Sequence, residues 1–414
     1  MPYLLTDGYV LTMDDRRSTH PRGFVLTDAA GQIAAVGPMD ECPDAPDAER
    51  VDCAGKVVLP GLIDALHVHW THLFAGMQPD PALAGAMDAE AHQIAAGLAA
   101  SALAAGGVTT ALIEMPATLD AATINALMPV FAARGVRAIA AVAPALAGEV
   151  ANAAVSVLAD PRSLAEGRAS EATIRDGIET ARALGRQALL RAAPQGADAA
   201  TQTAEGRRMA RSTVYHLMEM GLLDSGCLLV CPPVLDDLDR SLILESGCHV
   251  IGLPVADGLR GAGSGALSAL ARAGAPCALG TEGPGTGWTT DMIEQIKAAT
   301  MIQNTLLLDP TAMSLERALE MATRNAAVAL GLGTQTGALA VGLRADIAVF
   351  DAHHPHQQIG AKVISAFLAT TRATEAAFVL AGGMRTLPVP SIDITRAAAA
   401  RRATLARAGL GVAA

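Results

Sequence analysis

The sequence predicts an α/β protein, a distorted (β/α)₈ barrel with a small composite β-sandwich formed by both chain ends. The 414 residues are 51% hydrophobic and 17% charged, which is enough apolar material for a large core. Short apolar runs alternate with alanine-rich helical stretches in the centre, a pattern typical of a parallel sheet, and β-rich segments flank this region. We therefore assign residues 1–58 and 336–390 to the sandwich, 59–335 to the barrel and 391–414 to a C-terminal helix.

The two flanking segments are predicted to form short strands separated by turns. The extended runs are Tyr3–Met13, Gly23–Thr27, Gln32–Val36, Val51–Val58, 337–351 and Ala376–Leu380. Because these runs lie on both sides of the barrel region, we expect the two chain ends to build one small β domain.

The central region is predicted to contain eight strands. The candidates are Leu62–Leu66, Gly107–Glu114, Val136–Val142, Ala151–Leu158, Gln187–Ala192, Cys227–Cys231, His249–Leu253 and Cys277–Glu282. Eight strands with intervening helices over about 270 residues are the size of a (β/α)₈ barrel. A helix over Ser314–Leu330 is followed by Gly331 as a C-cap, and a last helix covers Asp393–Ala408.

Composition narrows the range of partners and compartments. The net charge is −11 with no basic block, which argues against nucleic acid or an anionic membrane surface as a partner. No apolar run reaches the ~18 residues of a membrane span. The segment Met1–Asp14 is predicted to be a strand and not a signal peptide. The six cysteines contain no C-x-x-C pair. We expect reduced thiols, a cytoplasmic location and a small-molecule substrate.

The first predicted barrel strand ends in an H-x-H pair, within Leu59–Trp70. Side chains two residues apart lie on the same side of a strand, so His67 and His69 can face one point. Barrel enzymes place their chemistry at the C-terminal ends of the strands. Two imidazoles at such an end are typical of a catalytic metal site.

Five segments together resemble the aminohydrolase branch of the amidohydrolase superfamily, which contains adenosine-, guanine- and triazine-type deaminases and dechlorinases. The motifs are GYVLTMD at 8–14, LPGLID at 59–64, AGGVTT at 105–110, ALGTEG at 278–283, and ATRNAAVALGL at 322–332 with GALAVGLRADIAVFD at 337–351. The resemblance implies hydrolysis of a C–N bond on a ring or amidine by metal-bound hydroxide. It also implies a homodimer or higher homo-oligomer by analogy.

The metal ligands of that family do not transfer well to this chain. The corresponding positions are Leu66, Val68, Arg191, Cys231 and Glu282. A divalent ion about 4 Å from the Arg191 guanidinium is repelled by roughly 8 kcal/mol at an effective dielectric of about 20. Arginine also cannot lose its proton to become a ligand. We therefore expect no metal cofactor, with one zinc ion as the alternative.

The H-x-H pair lies one residue later than the family places it. A slip of one residue turns both imidazoles to the opposite face of the strand. A β-bulge at Ala65 or Leu66 would return His67 and His69 to the pocket. Without a bulge, Leu66 and Val68 line the pocket and the histidines pack outward.

The remaining candidate residues keep two interpretations each. Arg191 either pairs with Glu282 or Glu114 as a structural salt bridge or clamps a substrate carboxylate. Glu114, at the end of the second predicted strand, is likewise either a structural partner of Arg191 or a functional residue, and we assign both to substrate binding. Glu282 is a candidate general base with a raised pKa if the pocket is dry. Cys231 is either a nucleophile or a small core thiol.

Trp70 and His72 follow the first predicted strand and lie in the first strand-to-helix loop. Loops of this kind shape the substrate pocket in barrel enzymes, so we assign both residues to substrate binding.

Three functional hypotheses follow. The first is a metal-independent amidohydrolase-fold enzyme on a small polar or anionic, nitrogen-containing metabolite, using Glu282 with His67, His69 and Cys231 for catalysis. Lyase, isomerase or cyclase chemistry is compatible with it. The second is a conventional zinc-dependent C–N hydrolase with ligands His67, His69, Cys231 and Glu282. The third is a non-catalytic ligand-binding protein.

Overall fold

The computed structural model describes residues 1–77, 80–151, 153–159, 170–191, 212–230, 235–261, 263, 266–352, 363–372, 376–386 and 394–410. Cys231, one of the predicted site residues, lies outside these ranges.

Eight parallel strands form the barrel, in the order in which the chain visits them. They are β6 (Leu62–His67), β7 (Val108–Glu114), β8 (Arg137–Val142), β9 (Ala154–Leu158), β10 (Ala188–Arg191), β11 (Cys227–Val230), β12 (His249–Gly252) and β13 (Cys277–Leu279). Past the end of β13, the Glu282 amide donates to the Leu66 carbonyl at 2.9 Å, which joins the last strand to the first. The predicted barrel is confirmed, and each predicted strand is present to within a few residues.

The barrel interior is filled by one apolar cluster to which all eight strands contribute. Leu112, Leu189, Leu228 and Ile251 are fully buried examples. A second cluster contains residues of the opposite strand faces together with helix residues such as Phe131. Burial on both faces explains why the strands are apolar runs without polar alternation.

Both chain ends build a second, eight-stranded sheet, as the sequence predicts. Its strands are β1 (Tyr3–Leu11), β2 (Thr19–Thr27), β3 (Ile33–Pro38), β4 (Glu49–Asp52), β5 (Lys56–Pro60), β14 (Ile347–Asp351), β15 (Ala376–Ala381) and β16 (Met384–Thr386). Strand β14 pairs antiparallel with β5, so the C-terminal segment completes the N-terminal sheet. Gly31 adopts φ 76° in the β2–β3 turn, where a glycine is favoured.

Helices surround the barrel. They are α1 (Pro81–Ala86), α2 (Ala89–Ala105), α3 (Ala121–Ala132), α4 (Glu171–Ala183), α5 (Thr213–Glu219), α6 (Asp237–Ser246), α7 (Pro254–Leu259), α8 (Leu267–Arg272), α9 (Met292–Leu307), α10 (Leu315–Met321), α11 (Arg324–Ala329), α12 (Val363–Thr370) and α13 (Ile394–Arg407). In the part of the chain described here, no helix combines the length and the apolar character needed to cross a membrane.

The helix predicted over Ser314–Leu330 is two helices, α10 and α11. The break falls at Thr323, where the backbone has φ −135° and ψ −102°. The Thr323 hydroxyl donates to the Leu319 carbonyl at 2.7 Å, a local bond that competes with helix continuation. Gly331 adopts φ 70°, as expected for a residue just past a helix end.

Candidate active site

Strand β6 contains the β-bulge that the sequence left open. Between Asp64 and His67 this strand advances three residues while β7 advances two, from Ala111 to Ile113. The extra residue falls at Ala65–Leu66, which is the predicted position.

The bulge does not turn the histidines into the barrel. Ala65 and Leu66 both pack in the interior cluster, whereas His67 bonds Asp64, which lies between the inward-facing Ile63 and Ala65 and therefore points to the opposite side of the strand. Val68 packs with the helical residues outside the barrel. The expectation that a bulge would return His67 and His69 to the interior is therefore wrong. Because of the extra residue in the bulge, Leu66 is buried in the interior cluster next to Ala65.

His67 is held by two polar side chains at the β6–β13 junction. Its Nδ1 lies 3.0 Å from Asp64 Oδ2 and 2.9 Å from Thr281 Oγ1, and all three residues are fully buried. Thr281 also donates its backbone amide to Asp64 at 3.0 Å. A carboxylate on one ring nitrogen fixes the orientation of an imidazole and leaves the other nitrogen free to act.

That other nitrogen faces a second imidazole. Nε2 of His67 lies 3.0 Å from Nε2 of His72, which belongs to the 3₁₀ helix His69–Phe74. Burial, with the neighbouring His67 and His69, holds the pKa of His72 well below its usual range. His72 is therefore neutral near pH 7, the form of imidazole that binds metals.

A second histidine pair lies beside the first. Nε2 of His69 is 3.2 Å from Nδ1 of His92, on helix α2. Burial, followed by His92 and His67, keeps the pKa of His69 well below its usual range. The outer nitrogens, His69 Nδ1 and His92 Nε2, are buried without a hydrogen-bond partner. The sequence analysis did not identify His92, because a single histidine on an alanine-rich helix carries no spacing signal.

The inner strand ends carry a different cluster, formed by arginines and acids. Arg191 at the end of β10 donates to both oxygens of Glu114 on β7, with Nε at 2.8 and 2.9 Å, and its Nη1 donates to Glu282 at 2.9 Å. Burial opposes the charge on Arg191, but the two carboxylates outweigh it and raise its pKa. The salt-bridge interpretation of Arg191 fits this geometry, and its donors are engaged by protein carboxylates instead of pointing at open space.

Arg260 and Asp257 complete this ion network. Arg260, just after α7, donates to Glu282 Oε2 and to Asp257 Oδ1, both at 2.7 Å. Burial raises the pKa of Asp257 to about 7, although Arg260 counteracts it. Neither residue could be identified from the sequence, because neither lies at the end of a predicted strand or belongs to a motif.

Two predicted roles are corrected by these contacts. Burial favours the neutral form of Glu282, yet Arg191 and Arg260 hold its pKa below the usual value, so Glu282 is not a base with a raised pKa. Trp70 is 5% exposed and packs edge-on against Phe74, with ring centroids 6.1 Å apart. It is a core residue and does not line a substrate pocket.

The histidine cluster fits a divalent metal better than the inner strand ends do. It offers neutral imidazoles, a carboxylate that orients His67, and buried nitrogens without partners. At the inner ends both oxygens of Glu282 are already bound by guanidinium groups. The predicted ligand set does not assemble there, since His67, His69 and Glu282 engage separate partners. Within the described ranges, no group of three or more His, Cys, Asp or Glu side chains is arranged to hold a metal ion.

Comparisons with known proteins agree with this fold. The amidohydrolase family model matches residues 57–385. A 5-methylthioadenosine/S-adenosylhomocysteine deaminase of Syntrophobacter fumaroxidans is 31% identical over 379 residues, covering 85% of each chain. An adenosine deaminase of Xanthomonas campestris superposes with a TM-score of 0.85 at 21% identity, covering 98% of each chain. An atrazine chlorohydrolase variant of Arthrobacter aurescens reaches 0.80 at 17% identity, covering 97% of this chain and all of the other.

These comparisons also correct the expectation that no metal is involved. The Xanthomonas campestris deaminase was crystallised with bound zinc, and the Arthrobacter aurescens variant with zinc and atraton. The prediction of a metal-independent enzyme is therefore wrong. With the family model covering most of its length, the chain belongs to the amidohydrolase family.

Proposed function

We propose that this protein is a metal-dependent C–N hydrolase of the deaminase type, acting on a small nitrogen-containing ring compound. Two findings support the reaction class. The chain belongs to the amidohydrolase family, and its relative in Syntrophobacter fumaroxidans is named as a deaminase. The observation that carries the proposal is the pair of facing imidazole nitrogens of His67 and His72, 3.0 Å apart beside the buried Asp64 carboxylate.

In this proposal His67 and His72 hold the metal, and Asp64 orients His67. A divalent metal bound there would supply hydroxide from water near neutral pH. In this arrangement Nδ1–H of His67 donates a hydrogen bond to Asp64, which leaves the lone pair of Nε2 available to the metal. His72 is half-buried, while His67 is fully buried, so the metal would be reached from the His72 side.

His69 and His92 form the supporting part of the site. His92 holds one ring nitrogen of His69, and the other, Nδ1, is buried without a partner. A neutral imidazole in this position can form one further hydrogen bond at Nδ1. The expected partner is a small-molecule substrate. A cytoplasmic location, predicted from composition, and a homodimer or higher homo-oligomer, predicted by analogy, remain predictions.

The test is the zinc content of the purified full-length chain together with ammonia release from adenosine and S-adenosylhomocysteine. We expect near-stoichiometric zinc in the wild type and a loss of most of it in His67→Ala and in His72→Ala. His216→Ala is the matched control, because His216 lies on α5 and pairs with Glu171. It should retain the wild-type zinc content.

Zinc that remains in both His67→Ala and His72→Ala would refute the assignment of these ligands. Stoichiometric zinc without ammonia release from either compound would refute the deaminase activity on adenosine-type substrates and favour the non-catalytic alternative.

A further inference from the structure

Aromatic side chains are scarce in this protein, and only one is exposed. The chain has six Phe, three Tyr and two Trp residues. Ten of these eleven are buried or half-buried, whereas Trp288 is 74% exposed. Tryptophan side chains are normally buried in a core or an interface, so an exposed one is unusual.

Trp288 lies in the loop that follows β13, at the end of the barrel where the strands terminate. The loop backbone is left-handed at Glu282 (φ 57°), Gly283 (φ 82°) and Trp288 (φ 56°). Only glycine adopts this region without penalty. A bulky residue held in a disfavoured conformation points to a functional constraint.

The loop is anchored on both sides of Trp288. On one side the Gly287 amide donates to the Gly283 carbonyl at 2.9 Å, and Thr286 Oγ1 donates to the Glu282 carbonyl at 3.0 Å. On the other side Asp291 caps helix α9, accepting from its first amides at 2.7 and 3.1 Å. Trp288 is therefore presented by a fixed turn.

This turn is packed directly onto the histidine site. A Cβ atom on Gly287 would lie 2.5 Å from the Thr281 carbonyl oxygen, so the backbone next to Trp288 touches the residue that bonds His67. A Cβ on Gly283 would lie 2.6 Å from Thr71 Oγ1, in the 3₁₀ helix that carries His72. The turn that carries the single exposed aromatic side chain thus contacts Thr281 and Thr71, the neighbours of the proposed metal ligands.

We propose that Trp288 is the stacking platform on which the ring of the proposed substrate lies. This inference rests on the proposed function and deepens it. The indole ring offers a flat face to solvent, and stacking on such a face suits any planar heterocycle. A substrate with only an aliphatic C–N bond would gain little from it.

Tryptophan fluorescence tests this directly, because the two indoles differ in exposure. Trp70 is buried and Trp288 is exposed, so Trp70→Phe leaves Trp288 as the only indole. We expect adenosine, added to the zinc-loaded Trp70→Phe protein, to quench this emission saturably. Ribose, which lacks the heterocycle, should leave it unchanged. If Trp70→Phe does not fold, the difference between the wild-type and Trp288→Phe titrations gives the same signal.

Calorimetry supplies the second readout. We expect Trp288→Ala to weaken adenosine binding roughly 5- to 100-fold, in the range of one aromatic–base stack, while Trp288→Phe keeps most of the affinity. Guanine and melamine serve as further planar probes. The proposal is overturned if a bound probe leaves the Trp288 emission unchanged and Trp288→Ala binds it as tightly as wild type, or if no probe quenches the emission.

The two proposals fail in different ways. Saturable quenching without ammonia release would contradict the deaminase activity and leave the stacking role intact. Ammonia release at wild-type KM and kcat in Trp288→Ala would contradict the stacking role and leave the deaminase intact.

Discussion

In the cluster of charged side chains inside the barrel, carboxylates outnumber guanidinium groups. Two arginines, Arg191 and Arg260, face three carboxylates: Glu114, Glu282 and Asp257. The two glutamates lie against Arg191, and among the described residues Asp257 forms its salt bridge with Arg260, which it shares with Glu282. Burial therefore raises the pKa of Asp257 to about 7, and the nearby Glu282 charge adds to the effect.

This shift predicts a pH-dependent stability. The folded-state pKa of Asp257 lies above its unfolded value near 3.8, so the native protein binds the extra proton between about pH 4 and pH 7. The stabilisation is complete below about pH 4 and is lost as pH rises through 7. We expect Asp257→Asn, which stays neutral, to gain stability relative to the wild type from pH 5 to pH 8. The gain approaches a tenfold shift of the folding equilibrium per pH unit below pH 7.

Urea unfolding at pH 5, 6, 7 and 8 measures this difference. Asp351→Asn is a suitable control, since Asp351 lies in the chain-end sheet and is partly exposed. A stability difference between Asp257→Asn and wild type that stays constant from pH 5 to pH 8 would contradict the assignment.

At the scale of elements, the bulge in β6 decides which residues meet. It buries Leu66 and lets His67 contact Asp64 and Thr281 on the other side of the strand. Gly280, at the end of β13, makes room for it. A Cβ on Gly280 would lie 2.9 Å from the Leu66 backbone nitrogen and 3.0 Å from its carbonyl oxygen. The β6–β13 junction therefore needs the extra residue on one strand and the glycine on the other.

We predict that Gly280→Ala destabilises the protein by about 1–3 kcal/mol, because a methyl group must displace backbone atoms in a packed junction. It should also lower zinc affinity, since the displaced strand carries His67. Gly148→Ala is the matched control, because nothing lies within 4 Å of its Cβ position. Thermal unfolding and zinc titration measure both effects. Equal melting temperatures for the two variants would be incompatible with the close approach.

At the scale of the whole molecule, the ion network ties distant parts of the barrel together. Arg191 links β10 to β7 and to Glu282 after β13, and Arg260 links Glu282 to α7. These bonds close the inner strand ends at the place where, by resemblance, metal ligands would be expected. We therefore place the proposed metal site at the histidines on the other side of β6.

Removing one partner of an ion pair in this network should lower the free energy of unfolding more than removing both partners. Arg191→Met leaves Glu114 without its bidentate partner, and we expect a loss of about 3–5 kcal/mol. Arg191→Met combined with Glu114→Met removes the uncompensated charge as well and should recover part of that loss. Guanidinium unfolding of the wild type, the single and the double variant measures both values. A single variant within about 1 kcal/mol of the wild type would show that the network contributes little to stability.

Local sequence determined the barrel and the chain-end sheet. Apolar runs bounded by turn residues mark all eight barrel strands, and the motifs around Gly61, Gly107 and Gly280 marked the family. These features depend on neighbours within a few residues, so one chain suffices to find them.

Tertiary structure alone decided the site. The sequence allowed His67 and His69 to face one point, but the bulge at Leu66 gives each a different partner, His72 and His92. The burial that lowers the pKa values of His69, His72 and His92, and the balance of charges around Glu282, come from residues far apart in the chain. Distances between such residues follow from packing, and a one-residue bulge is enough to exchange the two sides of a strand.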